Sequence, residues 1–226
     1  VATVLLLRHG RTTSNVTGEL AGRRPVELDD IGRKQAERVG ERLRPLPLAK
    51  VVTSPLLRCR MTLDLALPGA TPVADEGLTE CGYGDWEGRP LKELAQDPLW
   101  PVVQQHPSGA TFPNGESMAA MSARAVAAVR RWDAAVQAEH GAGALWLACS
   151  HGDVIKAIVA DALGLHLDQF QRIVADPASI TVIRYTAQRP FVVRVNDTAD
   201  LASLVPAPQT AAESDAAVGG GAGGGL

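Results

Sequence analysis

The 226-residue sequence holds no apolar run approaching the roughly 20 residues of a membrane span, and no charged-then-apolar segment that reads as a signal peptide. The first apolar stretch begins almost at Val1, so no targeting segment is expected in the chain as given. Cysteine is scarce. Cys59, Cys81 and Cys149 are scattered, and they form neither an even disulfide framework nor a CxxC metal site. A reducing, cytoplasmic setting is therefore expected, with no membrane partner. Net positive charge is also lacking: the formal charge is −3, which gives no general pull toward nucleic acid. Any anion binding must come from local design. There is no internal repeat of useful length. What remains, 46% hydrophobic and 21% charged, is the composition of a soluble globular protein long enough for one well-filled core.

The chain opens on a compact apolar run, Val4 to Leu7, that stops at Arg8-His9-Gly10, so residues 2–7 read as a buried strand. Thr13 to Val16 follow as a short helical turn before Gly18, and the next stretch has turn formers and no period. Asp29 sits where an N-cap belongs, ahead of Ala36, Val39 and Leu43 at helical spacing up to Pro45. Val51 to Thr53 reads as a short strand, with Ser54-Pro55 as N-cap and first position of a helix running to about Leu67. Residues 72–75 are a further short strand. From Glu116 a long helix is marked by Met118, Met121, Ala125, Val129, Trp132 and Val136, and Gly141 ends it. Ala144 to Cys149 is a continuous apolar strand leading into Ser150-His151-Gly152, with a helix to Gly164 behind it. Ile180 to Tyr185 and Phe191 to Val195 read as a closing edge hairpin.

This alternation predicts an α/β fold: a three-layer α/β/α sandwich with a mostly parallel central sheet. Residues 80–115 interrupt it. An insertion over about 84–115, partly helical near 90–105, is expected as a small cap over the carboxyl edge of the sheet. The domain is expected to span residues 1–200. Residues 201–226 turn to Ala, Pro, Ser and Gly and end in GGGAGGGL, which predicts a flexible tail unable to bury enough apolar surface to order itself.

Two strands therefore end alike, in an apolar run, then His-Gly, then a helix. In a parallel sheet both ends lie on the carboxyl edge, where such folds bind ligands. His9 and His151 should face each other across one cleft. Arg58, about one turn into the helix after Thr53-Ser54, points back to the same rim. With Arg8 they make an electropositive pocket suited to a dianionic phosphoryl group, which planar guanidinium groups grip in bidentate fashion. Crowded cations should also depress the pKa of His9 and keep its ring neutral.

Five segments, in order, are similar to motifs of the histidine phosphatase superfamily, also called the phosphoglycerate mutase-like family. Arg8-His9-Gly10 with Thr12 and Asn15 resembles RHGxTxxN. Ser54-Pro55-Leu56-x-Arg58 with Thr62 resembles SPLxRxxxT. Leu78-x-Glu80 with Gly84-x-Trp86-Glu87-Gly88 resembles LxExxxGxWEG, Asn114 to Ser117 resembles the GES helix start, and Ser150-His151-Gly152 resembles the second His-Gly. The resemblance implies a phosphohistidine mechanism with no metal and no cofactor. His9 would be the nucleophile, Arg8, Arg58 and His151 would hold the phosphoryl oxygens, and Glu80 would be the acid and then the base. A protonated Glu80 is hard to keep beside cations, so activity should fall well above neutral pH. Asn15, Gly10, Thr12, Gly22, Arg11 and Gly152 are expected on the substrate side, with Gly10 making room for the ligand.

Two features depart from the family. The loop usually written GxxDxPLTExG keeps only Leu28 between Gly22 and Gly32, and holds Pro25, Glu27, Asp29 and Asp30. Arg11 stands where Glu or Gln is common. Both bear on substrate choice. His106, His140 and His166 read as structural, Trp86 as packing in the wall that orients Glu80, and the cysteines as buried small hydrophobes rather than thiols whose oxidation blocks the pocket. The insertion lacks the Gly-x-Asn-Lys segment and Arg-Arg pair that resemble mutases, and its cations are Arg89 and Lys92. The expected function is hydrolysis of a small organic phosphomonoester. Mutase-type phosphoryl transfer and a silent phospholigand-binding module are the alternatives.

Overall fold

The computed structural model describes residues 1–199 and 218–219. Six strands, β1 (Thr3–Arg8), β2 (Leu48–Thr53), β3 (Val73–Ala74), β4 (Leu145–Ser150), β5 (Ile180–Tyr185) and β6 (Pro190–Asp197), form one sheet in the order β3-β2-β4-β1-β5-β6. The first four run parallel, and β5 and β6 are an antiparallel hairpin paired to β1. The expected sandwich and edge hairpin are thus both present.

Helices cover both faces. These are α1 (Thr13–Thr17), α2 (Asp30–Leu43), α3 (Leu57–Ala66), α4 (Leu91–Leu94), α5 (Trp100–Gln105), α6 (Met118–His140) and α7 (Gly152–Leu163). Alternate residues of β1 serve different layers, as a two-residue side-chain period requires. Val4 and Leu6 pack with Met118, Met121 and Val129 of α6 and with Val154 and Ile158 of α7. Leu5 and Leu7 pack with Val39 and Leu43 of α2 and with Cys59 and Leu63 of α3. All three cysteines are free and buried, and burial pushes the Cys81 and Cys149 thiols well up. That favours packing over reactivity.

Asp29 caps α2 as expected, its Oδ1 accepting from Gly32 N at 2.7 Å. Helix α3 differs from expectation: its N-cap is Leu56, with no side-chain cap, and the helix starts two residues late. Ser54 instead sits at the site, described below. The insertion is short helices and turns, stitched to the loop after α1 by Leu20 N to Arg89 O, Gly88 N to Leu20 O and Leu91 N to Gly18 O. Because that loop follows β1, the insertion lies at the carboxyl edge. Within the segment expected as a flexible tail, Val218 is fully buried. The rest of 201–226 lies outside the described residues. No helix among the described residues is long and apolar enough to cross a membrane.

Candidate active site

Strands β1 and β4 are neighbours in register, Leu7 opposite Cys149 and Arg8 opposite Ser150. His9 N also donates to Ser150 O. The two histidines that end these strands are therefore adjacent, ring centroids 5.3 Å apart and tilted by 60°. Arg8, His9, Arg58, Glu80 and His151 are each at most 4% exposed.

The His9 ring is fixed in one tautomer. Nδ1 lies 2.7 Å from Gly10 O, and a carbonyl only accepts, so Nδ1 carries the proton. Nε2 then presents its lone pair, to which Arg58 Nε donates at 3.2 Å. Burial holds the His9 pKa well below its usual value, with Arg58 and Arg8 adding to it. The expected effect of the cations is real but second to desolvation. Arg58 is set by carbonyls: Nη2 donates to Gly22 O at 2.7 Å and Nη1 to Arg24 O. Arg8 Nη1 donates to Ala175 O.

His151 Nε2 is 2.7 Å from Ser54 Oγ, and Cys59 Sγ is 3.6 Å away. Its Nδ1 is buried and has no hydrogen-bond partner among the described residues. If Ser54 donates to Nε2, Nδ1 becomes a donor, which suits an oxyanion. Burial, Arg58, His9 and Arg8 hold this histidine neutral too.

Glu80 sits on the loop after a 3-10 turn at Glu76–Leu78. Its Oε1 accepts from Cys81 N. Burial first, and then the Asp153 carboxylate, push its pKa up to about 7 against the pull of Arg58 and Arg8. Burial and a second carboxylate thus outweigh the cations and favour the protonated form.

Several expected ligand-side residues have structural duties. A Cβ on Gly10 would lie 2.5 Å from Gly32 O, so this glycine lets β1 abut the start of α2 rather than making room for a ligand. Gly10 N donates to Thr62 Oγ1. Arg11 pairs through Nε with Asp29 at 2.7 Å, so its guanidinium is tied to the α2 cap. Thr12 and Asn15 form a reciprocal capping box on α1. Gly22 supplies the Arg58 carbonyl, and Gly152 is the first residue of α7. Trp86 is buried and stacks on Trp100, with Phe112 edge-on.

Sequence reasoning missed Arg124. Its guanidinium grips Glu116 at 2.7 Å and the carbonyls of Gly77, Thr79 and Glu80, fixing the loop that carries Glu80. The signal was available: Arg124 lies on the same stripe of α6 as Met121, Ala125 and Ala128, and a cation on an apolar face needs a buried partner. Asp153, buried behind Glu80, was also missed. Among the described residues no group of three or more His, Cys, Asp or Glu is placed to hold a metal ion.

The arrangement pairs a neutral imidazole lone pair with two guanidinium groups, a second imidazole and a carboxyl whose pKa is raised. Comparison with known proteins places the chain in a family. The sequence matches the histidine phosphatase superfamily (branch 1) over residues 4–198. It is 33% identical over 212 residues to a probable phosphoglycerate mutase, GpmB, of Klebsiella pneumoniae, covering 91% of this chain and 95% of that protein. It is 36% identical over 185 residues to an acid phosphatase of Mycobacterium tuberculosis, covering 79% and 84%. The fold superposes on Bacillus stearothermophilus YhfR with a TM-score of 0.78 at 30% identity, covering 87% of this chain and 98% of the other. The chain belongs to the histidine phosphatase superfamily, branch 1.

Proposed function

We propose that the protein hydrolyses a small organic phosphomonoester through a phosphohistidine on His9 Nε2. The observation that carries this is the fixed Nδ1–H tautomer of His9, which turns a lone pair toward Arg58 Nε. Phosphorus would be attacked in line by Nε2. Arg8, Arg58 and His151 Nδ1 would take the equatorial oxygens, where charge develops, and Asn15 would add a hydrogen bond. Glu80 would protonate the leaving oxygen. The resulting carboxylate would then accept a proton from the water that attacks phosphohistidine, releasing phosphate and restoring His9. The positive charge this requires is supplied by side chains, so no metal is invoked.

A mutase reading draws on the name of the Klebsiella relative. Against it stands the insertion, whose cations are Arg89 and Lys92 amid Leu, Val, Trp, Pro and Phe. Such a wall suits an ordinary or partly apolar organic phosphate better than a multiply anionic acid held in two orientations. The deciding experiment is turnover of p-nitrophenyl phosphate in chelator by wild type and His9→Ala, followed by 3-phosphoglycerate as substrate. Activity in chelator that is lost in His9→Ala is expected, with phosphate release faster than conversion to 2-phosphoglycerate. A rate that survives His9→Ala would overturn the phosphohistidine mechanism. Isomerisation outpacing release would make the protein a mutase, and tight binding of phosphoester without turnover would make it a silent binding module.

A further inference from the structure

Two residues near the C-terminus, Val218 and Gly219, reach the back of the site. Val218 is fully buried in the main core together with Leu20, Tyr83, Trp86 and Val154. The next residue, Gly219, donates its backbone N–H to Asp153 Oδ2 at 2.8 Å. The same oxygen accepts from Tyr83 Oη at 2.7 Å. Gly219 has φ +82°, and a Cβ there would lie 2.6 Å from Leu20 Cδ1. The position therefore requires glycine twice over, once for the backbone and once for space. Prolines aside, Val218 is also the first aliphatic side chain larger than alanine after Val205. A lone valine followed by glycine, in a stretch otherwise rich in Ala, Gly and polar residues, fits a single anchoring point.

What it anchors to matters. Asp153 lies in the first turn of α7, two residues after His151, and is wholly buried. Tyr83, its other partner, is three residues from Glu80 on the same loop. Leu20 precedes Gly22, whose carbonyl holds Arg58. The anchor thus sits where the three segments carrying His151, Glu80 and the Arg58 carbonyls meet. Lys156 on α7 is 3.7 Å from Asp153 Oδ1 and bonds Gln171. Glu80 is faced by Arg8 from β1, Arg58 from α3, Asp153 and Lys156 from α7 and Arg124 from α6, with Cys81 and Tyr83 beside it on its own loop. Asp153 is faced by Tyr83, Lys156, Arg8 and Glu80.

We propose that Val218 and Gly219 are a positioning element for the reaction, docking on Asp153 and the core beside it and through them holding Glu80 dry as proton donor. The inference rests on the reading of Glu80 as general acid. With the anchor released, water reaches Asp153 and Glu80. Desolvation of Glu80 weakens and the repulsion from Asp153 is screened, so both changes favour the carboxylate. The acid form is then lost at lower pH.

The test uses the full chain with Val218→Asp, Gly219→Pro and the conservative Val218→Ile, beside Asp153→Asn. Two readouts are taken: hydrogen exchange of the C-terminal amides, and the pH profile of kcat on an alkyl phosphate. In wild type the Gly219 amide should exchange slowly, and Val218→Asp and Asp153→Asn should free it. Val218→Asp and Gly219→Pro should move the alkaline limb acid by about one pH unit. The kcat at pH 8 would then fall about tenfold, with less than about a twofold change at pH 5.5, while Val218→Ile keeps the wild-type profile. A Gly219 amide that exchanges freely in wild type overturns the docking. A limb unmoved in variants whose exchange shows the anchor released overturns the positioning role. Failure of the Glu80 reading is seen separately, as an alkaline limb that persists in Glu80→Gln, and it would take the positioning role with it.

Discussion

Glu80→Gln separates the cost of burying a proton donor from its use. The substitution keeps the shape of the side chain and an oxygen to accept from Cys81 N, and removes only the titration. Burial and the Asp153 carboxylate push this carboxyl up to about 7 in the folded protein, against 4.5 for an ordinary glutamate. At about 1.4 kcal/mol per tenfold change, the difference is on the order of 3 kcal/mol. Because the folded pKa is the higher one, the folded state holds the extra proton between 4.5 and about 7. That contribution is complete below the lower value and lost as pH rises through the upper one. Wild type should therefore lose about 3 kcal/mol relative to Glu80→Gln between pH 4.5 and pH 8, roughly the shift read by urea unfolding of both proteins at several pH values. The kinetic cost should run the other way. Turnover of an alkyl phosphate, whose leaving oxygen needs a proton, should fall about 10²–10⁴-fold, whereas phosphoryl transfer from p-nitrophenyl phosphate should suffer less and leave phosphoenzyme accumulating. Parallel stability curves for the two proteins from pH 5 to 8, or equal losses on both substrates, would refute the assignment of Glu80 as a buried acid.

Two further substitutions probe the frame around the site. Gly10→Ala places a Cβ 2.5 Å from Gly32 O, and should cost about 1–3 kcal/mol by pushing α2 from the end of β1, read as a lower thermal midpoint. Arg124→Gln gives up the Glu116 pair and three loop carbonyls. It should lower kcat about 10²-fold by misplacing Glu80, with competitive inhibition by inorganic phosphate nearly unchanged because Arg8, Arg58 and His151 are untouched.

The strand ends were legible because they depend on local pattern: an apolar run of strand length, then a glycine turn, then helical spacing. Their adjacency followed from the parallel-sheet rule, and the β1–β4 register bears it out. What escaped was long-range bonding, where one residue type has several uses. Ser54 before Pro55 has the signature of a cap, yet its hydroxyl serves His151, 97 positions away. Arg11 reads as one more charge at the pocket, yet Asp29, already capping α2, takes it. Gly10 reads as room for a ligand, and the space is filled by another glycine. Asp153 and Lys156, two charges in the otherwise apolar first half of α7, also escaped, although charges on so apolar a stretch are the mark of a buried pair. Composition alone pointed away from Val218, because a stretch poor in apolar residues needs only one of them to dock.

The adjacency of β1 and β4 bears on how the protein acquires activity during folding. His9 and His151 are 142 positions apart, and every strand-to-strand link between them is a parallel pairing that must close a long loop before it is rewarded. The central pair cannot form until β4 has been made. No shorter product of synthesis, and no intermediate with only the β2–β3 or β5–β6 edges in place, brings the two imidazoles together. Turnover therefore serves as a stringent kinetic probe of this chain. Its onset after dilution from denaturant dates the pairing of the two central strands, later than any collapse or helix formation that circular dichroism would report.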